Sequence, residues 1–257
     1  MSNQQPVVGV GPSVVRMTAN RSPNLLPRVL AALAGLALLG AIIGIAMHNG
    51  PQAPAASPVV DGVVDVASGI NPTVGLPIDG NGALTEAVAA PVIIDIYSDF
   101  SCPFCANFEA TYADQLMELA RDPNVSLRWH PVSVLDHEGG TGFSTRAGAI
   151  FLETAVRAPQ HLWAMNDLLL HNQQQAAGMP SEDLISALNN EFPGLELPAM
   201  ETILANRGEL LNQFTATFRQ SGAQGVPFIL INGEQWTPGG QPWPNVSLTE
   251  AARAAQG

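Results

Sequence analysis

The chain has 257 residues, with 10 basic and 22 acidic side chains, a formal net charge of −12 and two cysteines. An acidic balance of this size repels polyanions and argues against a nucleic-acid partner. Two cysteines without a second CxxC or a closely spaced histidine pair leave a dithiol zinc site two ligands short.

The first 48 residues hold no acidic side chain and carry Arg16, Arg21 and Arg28 ahead of an uncharged stretch from Val29 to Met47. Nineteen apolar or small residues suit a hydrocarbon core that needs roughly 20, so residues 29–47 are expected to form a transmembrane helix. Arginines before it place the tail, residues 1–28, in the cytoplasm and the remainder outside. A cleaved signal peptide is the rival reading, since Ala53-Pro54-Ala55 offers small residues, but the leader and apolar run exceed signal-peptide dimensions and Pro54 fits a cleavage site poorly. Outside the span only seven of the 10 basic residues remain against all 22 acidic ones, which keeps an exported domain soluble.

Residues 48–72 are rich in Pro, Gly and Ala and read as a flexible tether. Residues 73–257 read as one folded domain. At its start, Asp79-Gly80-Asn81-Gly82 between short apolar runs predicts an edge hairpin. Val92 to Tyr97 is the first central strand; Cys102 to Arg121 is a helix, with Phe108, Tyr112, Leu116 and Leu119 at helical spacing and Asp122-Pro123 ending it. Val125 to Val132 is a second strand, parallel to the first across a β-α-β crossover.

Helical patterning then runs from Ser144 to Ser221. Ser144 is the expected cap of a helix stopped by Pro159, residues 160–176 carry Leu162, Met165, Leu168 and Leu169 on one face, and Ser181-Glu182-Asp183 opens a helix through Asn190. Pro198 opens a longer one with Leu204, Leu211, Phe214 and Phe218, stopped by Gly222. Strand character returns at Val226 to Ile231, Asn232-Gly233 turns into Gln235-Trp236-Thr237, and Ser247 caps a final helix. The predicted order is β-α-β, helical insert (about 133–224), β-β-α.

The two cysteines stand in Ser101-Cys102-Pro103-Phe104-Cys105, between the first strand and its helix. A thiol at a helix N-terminus meets unpaired backbone N–H groups and the positive end of the helix dipole, which favour thiolate. Cys102 is therefore the expected nucleophile. Cys105, one turn on, can close the disulfide or resolve a mixed one. A purely structural disulfide is the weaker reading, because so short a loop contributes little chain entropy; a copper(I) carrier would want a Met or His cluster beside the pair.

Asp99-Phe100-Ser101-Cys102-Pro103-Phe104-Cys105, the helical insert and Gly225-Val226-Pro227-Phe228-Ile229-Leu230-Ile231-Asn232-Gly233 together resemble the thioredoxin superfamily, more narrowly the membrane-anchored DsbA-like thiol-disulfide oxidoreductases of actinobacteria. The resemblance covers about residues 90–257. It implies an α/β thioredoxin fold with a helical insertion, Cys102 and Cys105 as the redox-active pair, and a cis Val226–Pro227 bond beside them that, with Pro103 and Phe104, supports substrate binding. It also implies formation of disulfides in reduced exported clients, re-oxidation by a quinone-linked membrane oxidase of the DsbB or VKOR type, and no bound cofactor or metal. A disulfide reductase or isomerase using the same sulfurs, or a membrane-tethered binding or chaperone domain with an inert dithiol, are the alternatives.

The family commonly keeps a buried carboxylate six residues before the nucleophilic cysteine; here that position is Ile96, and Asp95 is one place earlier. Asp95 is thus a possible proton acceptor that strand alternation turns away from the thiols unless a bulge intervenes. Asp99 is expected to be exposed in a loop. Pro103 and Phe104 bring no positive charge to the thiolate, which implies a potential between the extremes of about −120 and −270 mV found among such proteins. Asp136-His137-Glu138 reads as a solvated turn, His130 as the end of a strand, and Phe151, Trp163 and Met165 as core.

Overall fold

The computed structural model describes residues 69–136, 141–237 and 246–256. The expected membrane span at 29–47, most of the tether and the His137-Glu138 part of the predicted turn lie outside them. Among the described residues no helix is long and apolar enough to cross a membrane.

Among the described residues five strands form one sheet: β1 (Leu76–Pro77), β2 (Val92–Asp99), β3 (Val125–Val132), β4 (Phe228–Ile231) and β5 (Glu234–Trp236), in the order β1-β3-β2-β4-β5. Only β2 and β3 pair in parallel, with Ile96 opposite Trp129 and Tyr97 opposite His130; β4 runs antiparallel to β2, with Ile96 opposite Ile229. The predicted hairpin is reduced to a turn. Asp79–Gly82 closes with one bridge between Ile78 and Leu84, and Leu76–Pro77 pairs instead with Trp129 and Arg128 of β3. Pro77 has no N–H to donate, which suits it to a two-residue edge strand.

Helix α1 (Pro103–Ala120) joins β2 to β3. Between β3 and β4 lie α2 (Phe143–Arg157), a 3-10 turn (Pro159–His161), α3 (Leu162–His171), α4 (Gln173–Ala177), α5 (Ser181–Glu191) and α6 (Met200–Gln220); α7 (Leu248–Ala254) follows β5. The stretch expected as one helix over 160–176 is thus divided into three.

The two faces of the sheet are covered differently. Val92, Ile94, Ile96, Leu127, Trp129 and Ile229 are buried on one face, where Tyr112 of α1 meets Trp236 edge-on at 5.6 Å. Tyr97 and His130 point to the other face, where Phe214 and Phe218 of α6 meet them. His130 is fully buried, not the end of its strand: its ring stacks on Tyr97 at 4.2 Å, and β3 continues to Val132. Phe151 and Met165 are core, and Trp163 packs edge-on against Trp129.

Two helix starts show where local rules hold and fail. Ser247 caps α7 by accepting the Glu250 amide at 3.1 Å. Ser144 does not cap α2; Asp136 does, its two carboxylate oxygens accepting the amides of Ser144 at 3.2 Å and Thr145 at 2.8 Å. Gly142 is the N-cap residue because a Cβ there would stand 2.2 Å from Asp136 Oδ1.

Candidate functional site

Strand β2 ends at Asp99, and after Phe100 and Ser101 the chain turns into α1 with Cys102 as its N-cap and Pro103 in the first turn. Pro103 is suited to that place because its missing N–H would have no helical partner. Cys102 has extended backbone angles, φ −84° and ψ 116°, and its amide donates to Asp99 O at 3.0 Å. Both thiols are free and buried, Cys102 at 4% exposure and Cys105 at 0%.

Cys102 Sγ donates to the carbonyl of Val226 at 3.4 Å, although the two lie 124 residues apart. The Val226–Pro227 peptide is cis. Val226 and Pro227 are half-buried, Phe104 packs partly buried against the core and Pro103 is exposed. The turn before β4 and the first turn of α1 therefore meet around one sulfur.

The two thiols differ in acidity. Cys102 is held below the ordinary cysteine value, first by the hydrogen bond from the Cys105 thiol and then by the amides of Cys105 and Phe104, against burial and the charge of Asp99. Cys105 is pushed well up, chiefly by burial and further by its partner's claim on the shared proton. Ionisation is therefore favoured at Cys102 over Cys105, the division of acidity that suits an attacking and a resolving sulfur.

Asp95 does not join this group. Its carboxylate meets His130 Nε2 at 2.8 Å, on the sheet face opposite α1, while Ile96 occupies the position facing the dithiol helix. Strand alternation decides this, and β2 pairs through Asp95 in unbroken register with β3, without the bulge that could have turned it. The acid beside the thiols is Asp99, which is fully buried rather than loop-exposed. Its Oδ1 accepts the Ser144 hydroxyl at 2.6 Å and the Ser101 amide at 2.8 Å; its Oδ2 accepts the Leu135 amide at 3.0 Å. The Asp99 amide reaches Cys105 Sγ at 3.5 Å. Burial raises the Asp99 carboxyl above the usual carboxylate range; the bonds from Ser144, Ser101 and Leu135 oppose the rise, and the charge of Asp136 adds to it.

Gln173 is a residue that sequence reasoning missed. Its buried side-chain amide donates to the carbonyls of Phe100 and Cys102, each at 3.3 Å, so α4 of the insert holds the turn that presents the dithiol. Nothing in a run of three glutamines marks the one that turns inward. Glu109, one turn beyond Cys105 on α1, is also buried, and its carboxyl is pushed up to about 7, chiefly by burial and then by Asp167, with His171 opposing.

With this geometry, residues 86–241, more than half of the chain, match the family described as thioredoxin. The chain belongs to the thioredoxin family. Its fold is shared by solved proteins: the thiol-disulfide oxidoreductase MdbA of Corynebacterium diphtheriae is similar at a TM-score of 0.53, with 19% identity over 76% of this chain and 100% of that one. MdbA of Corynebacterium matruchotii gives 0.51, with 20% identity over 63% and 86%. Oxidised BdbD of Bacillus subtilis gives 0.52, with 16% identity over 71% and 97%. Among curated proteins, the serine/threonine-protein kinase PknE of Mycobacterium tuberculosis is 31% identical over 77 residues, which cover 30% of this chain and 14% of the kinase.

Proposed function

We propose that this thioredoxin-family protein is an extracytoplasmic thiol-disulfide oxidoreductase that forms disulfides in exported proteins, anchored by a single membrane span at residues 29–47. The observation that carries the reading is the asymmetric pair: Cys102, lowered in pKa and 3.4 Å from the Val226 carbonyl, beside Cys105, buried and pushed up.

In the oxidised protein a client thiolate attacks Cys102 Sγ. The Cys102–Cys105 bond breaks, its electron pair leaves on Cys105 Sγ, and Cys105 takes up a proton. A second client thiolate attacks the client sulfur of the mixed disulfide; a client disulfide forms and Cys102 leaves as a stabilised thiolate. The client loses two electrons and the protein gains them. Backbone groups around Val226–Pro227 lie where an extended client segment would run beside the attacked sulfur, a main-chain mode of recognition that tolerates many sequences. Pro103 would cover the approach and Phe104 would anchor the turn. Returning the dithiol to the disulfide requires an oxidant, for which a quinone-linked membrane oxidase of the DsbB or VKOR type is the fitting partner. The uncharged Pro103-Phe104 pair agrees with a potential between those of the strongest oxidants and reductants.

Refolding of reduced ribonuclease by the oxidised full chain tests the reading. Activity should vanish in Cys102→Ser, and Cys105→Ser should accumulate mixed disulfides with clients. Equal activity of wild type and Cys102→Ser would reject the assignment. Strong insulin reduction combined with no oxidative refolding would move it to a reductase.

A further inference from the structure

Two glutamates among the described residues are buried in helices, and the fold treats them in opposite ways. Glu153, on α2, is held by two guanidinium groups: Arg157 Nε at 2.5 Å and Arg207 Nε at 2.7 Å. Glu109, on α1 and fully buried, receives no hydrogen bond at either carboxylate oxygen. An isolated carboxylate out of water is costly unless a cation or donor compensates it. Among the described residues no arginine forms an ion pair with it. What faces it is α3, which presents Asp167 and His171, one helical turn apart.

We propose that Glu109, Asp167 and His171 form a zinc-type divalent cation site that braces α1 against α3. One donor atom from each residue lies within 4.8 Å of the other two. His171 Nδ1 is 3.5 Å from Glu109 Oε2 and 2.8 Å from Asp167 Oδ1. Ligands on a tetrahedral zinc stand roughly 3.3 Å apart when Zn–N and Zn–O are about 2.0–2.2 Å, and the two separations from His171 Nδ1 lie on either side of that value. The ion would take the place of the proton on Nδ1, which also lies 3.0 Å from the Asp167 carbonyl oxygen. Three protein ligands of one nitrogen and two carboxylates select zinc over calcium or magnesium, which prefer all-oxygen shells with more ligands. A fourth position faces outward, because Asp167 and His171 are about half exposed while Glu109 closes the inner side. His171 sits 62 residues from Glu109 in the sequence, which is why histidines scattered along the chain gave no sign of a cluster. The site is separate from the dithiol: no sulfur is among its ligands, and it does not depend on the chain's redox role.

The test must silence the thiols, which bind zinc themselves. Full-length protein, oxidised so that Cys102 and Cys105 are joined and stripped with chelator, is titrated with zinc chloride by calorimetry and followed by thermal unfolding. One zinc per chain and a rise in Tm with zinc are expected. Glu109→Gln and His171→Ala, each checked for native circular dichroism, should each weaken zinc binding by more than about 100-fold, beyond the range seen for outer-shell partners. Cobalt(II) bound to wild type should give visible ligand-field bands that the His171→Ala protein lacks. Absence of zinc binding in the oxidised wild type, or binding that both variants retain, overturns the proposal. If Glu109→Gln does not fold, His171→Ala, with its more exposed side chain, decides alone.

Discussion

Asp95 and Asp99 stand four residues apart on the same strand, and the fold uses them for unlike purposes. Asp95 meets one partner, the imidazole of His130, beneath α6 and away from the thiols. Asp99 gathers three donors from three segments, Ser101, Leu135 and Ser144, and adds its charge to the environment of Cys102. The first closes a sheet face. The second ties the end of β2, the loop after β3 and the start of α2 to the turn that carries the dithiol, at some cost to thiolate stability. A carboxylate's position along a strand says which face it takes only while the strand lasts; at the strand's end, the loops decide what it meets.

The largest effect expected from this contrast is on stability. Asp99→Ala orphans three donors, each worth about 1–3 kcal/mol when left unmet in the interior, and should cost at least about 3 kcal/mol in denaturant unfolding. Asp95→Ala strips His130 of one partner and should cost about 1–3 kcal/mol; an Asp95→Ala loss equal to or above that of Asp99→Ala would erase the distinction. Gly75→Ala probes the Asp95 side from the opposite edge. Gly75 has φ +83°, and a Cβ there would stand 2.5 Å from His130 Nε2, so backbone strain and overpacking together should cost about 1–3 kcal/mol while leaving thiol reactivity intact.

A gentler variant sharpens the electrostatic half. In Asp99→Asn the charge opposing the Cys102 thiolate is gone, so the Cys102 pKa should fall further, read from the ultraviolet absorbance of thiolate against pH; Asp95→Asn should leave it unchanged. The linkage has opposite signs for the two sulfurs. Because folding lowers the Cys102 pKa, its contribution to the stability of the reduced protein is complete above the unfolded thiol's pKa and disappears as pH falls through the folded one. Cys105, raised by burial, contributes fully below the unfolded pKa and loses that contribution as pH rises toward its own. The smallest effect belongs to Arg253→Ala, which breaks an exposed pair with Glu118 between α7 and α1 and should cost less than about 0.5 kcal/mol.

Much of the fold could be read from local pattern: apolar alternation in β2 and β3, the helical periods of α1 and α6, and the Asn232-Gly233 turn are properties of short windows. So was the placement of Cys102 at a helix start, because strand, turn and Pro103 are contiguous. What escaped depended on distant partners. Asp99 resembled a loop residue until Ser144 and Leu135 enclosed it, Asp136 took the cap that Ser144 was suited to provide, and Gln173 reached the dithiol turn from a different helix. Ile96 at the usual acid position was visible, and strand parity was enough to show that Asp95 faces away from the thiols unless a bulge intervenes.

Acidity is divided between the two sulfurs, Cys102 being the one held below the ordinary cysteine value and Cys105 the one pushed above it. Alkylation of the reduced full chain with iodoacetamide across a pH series, with the modified cysteine assigned by mass spectrometry, tests it directly. Modification is expected at Cys102 with a midpoint below that of an ordinary cysteine, with Cys105 protected throughout. Labelling of Cys105 first, or a Cys102 midpoint at or above the ordinary value, would contradict it.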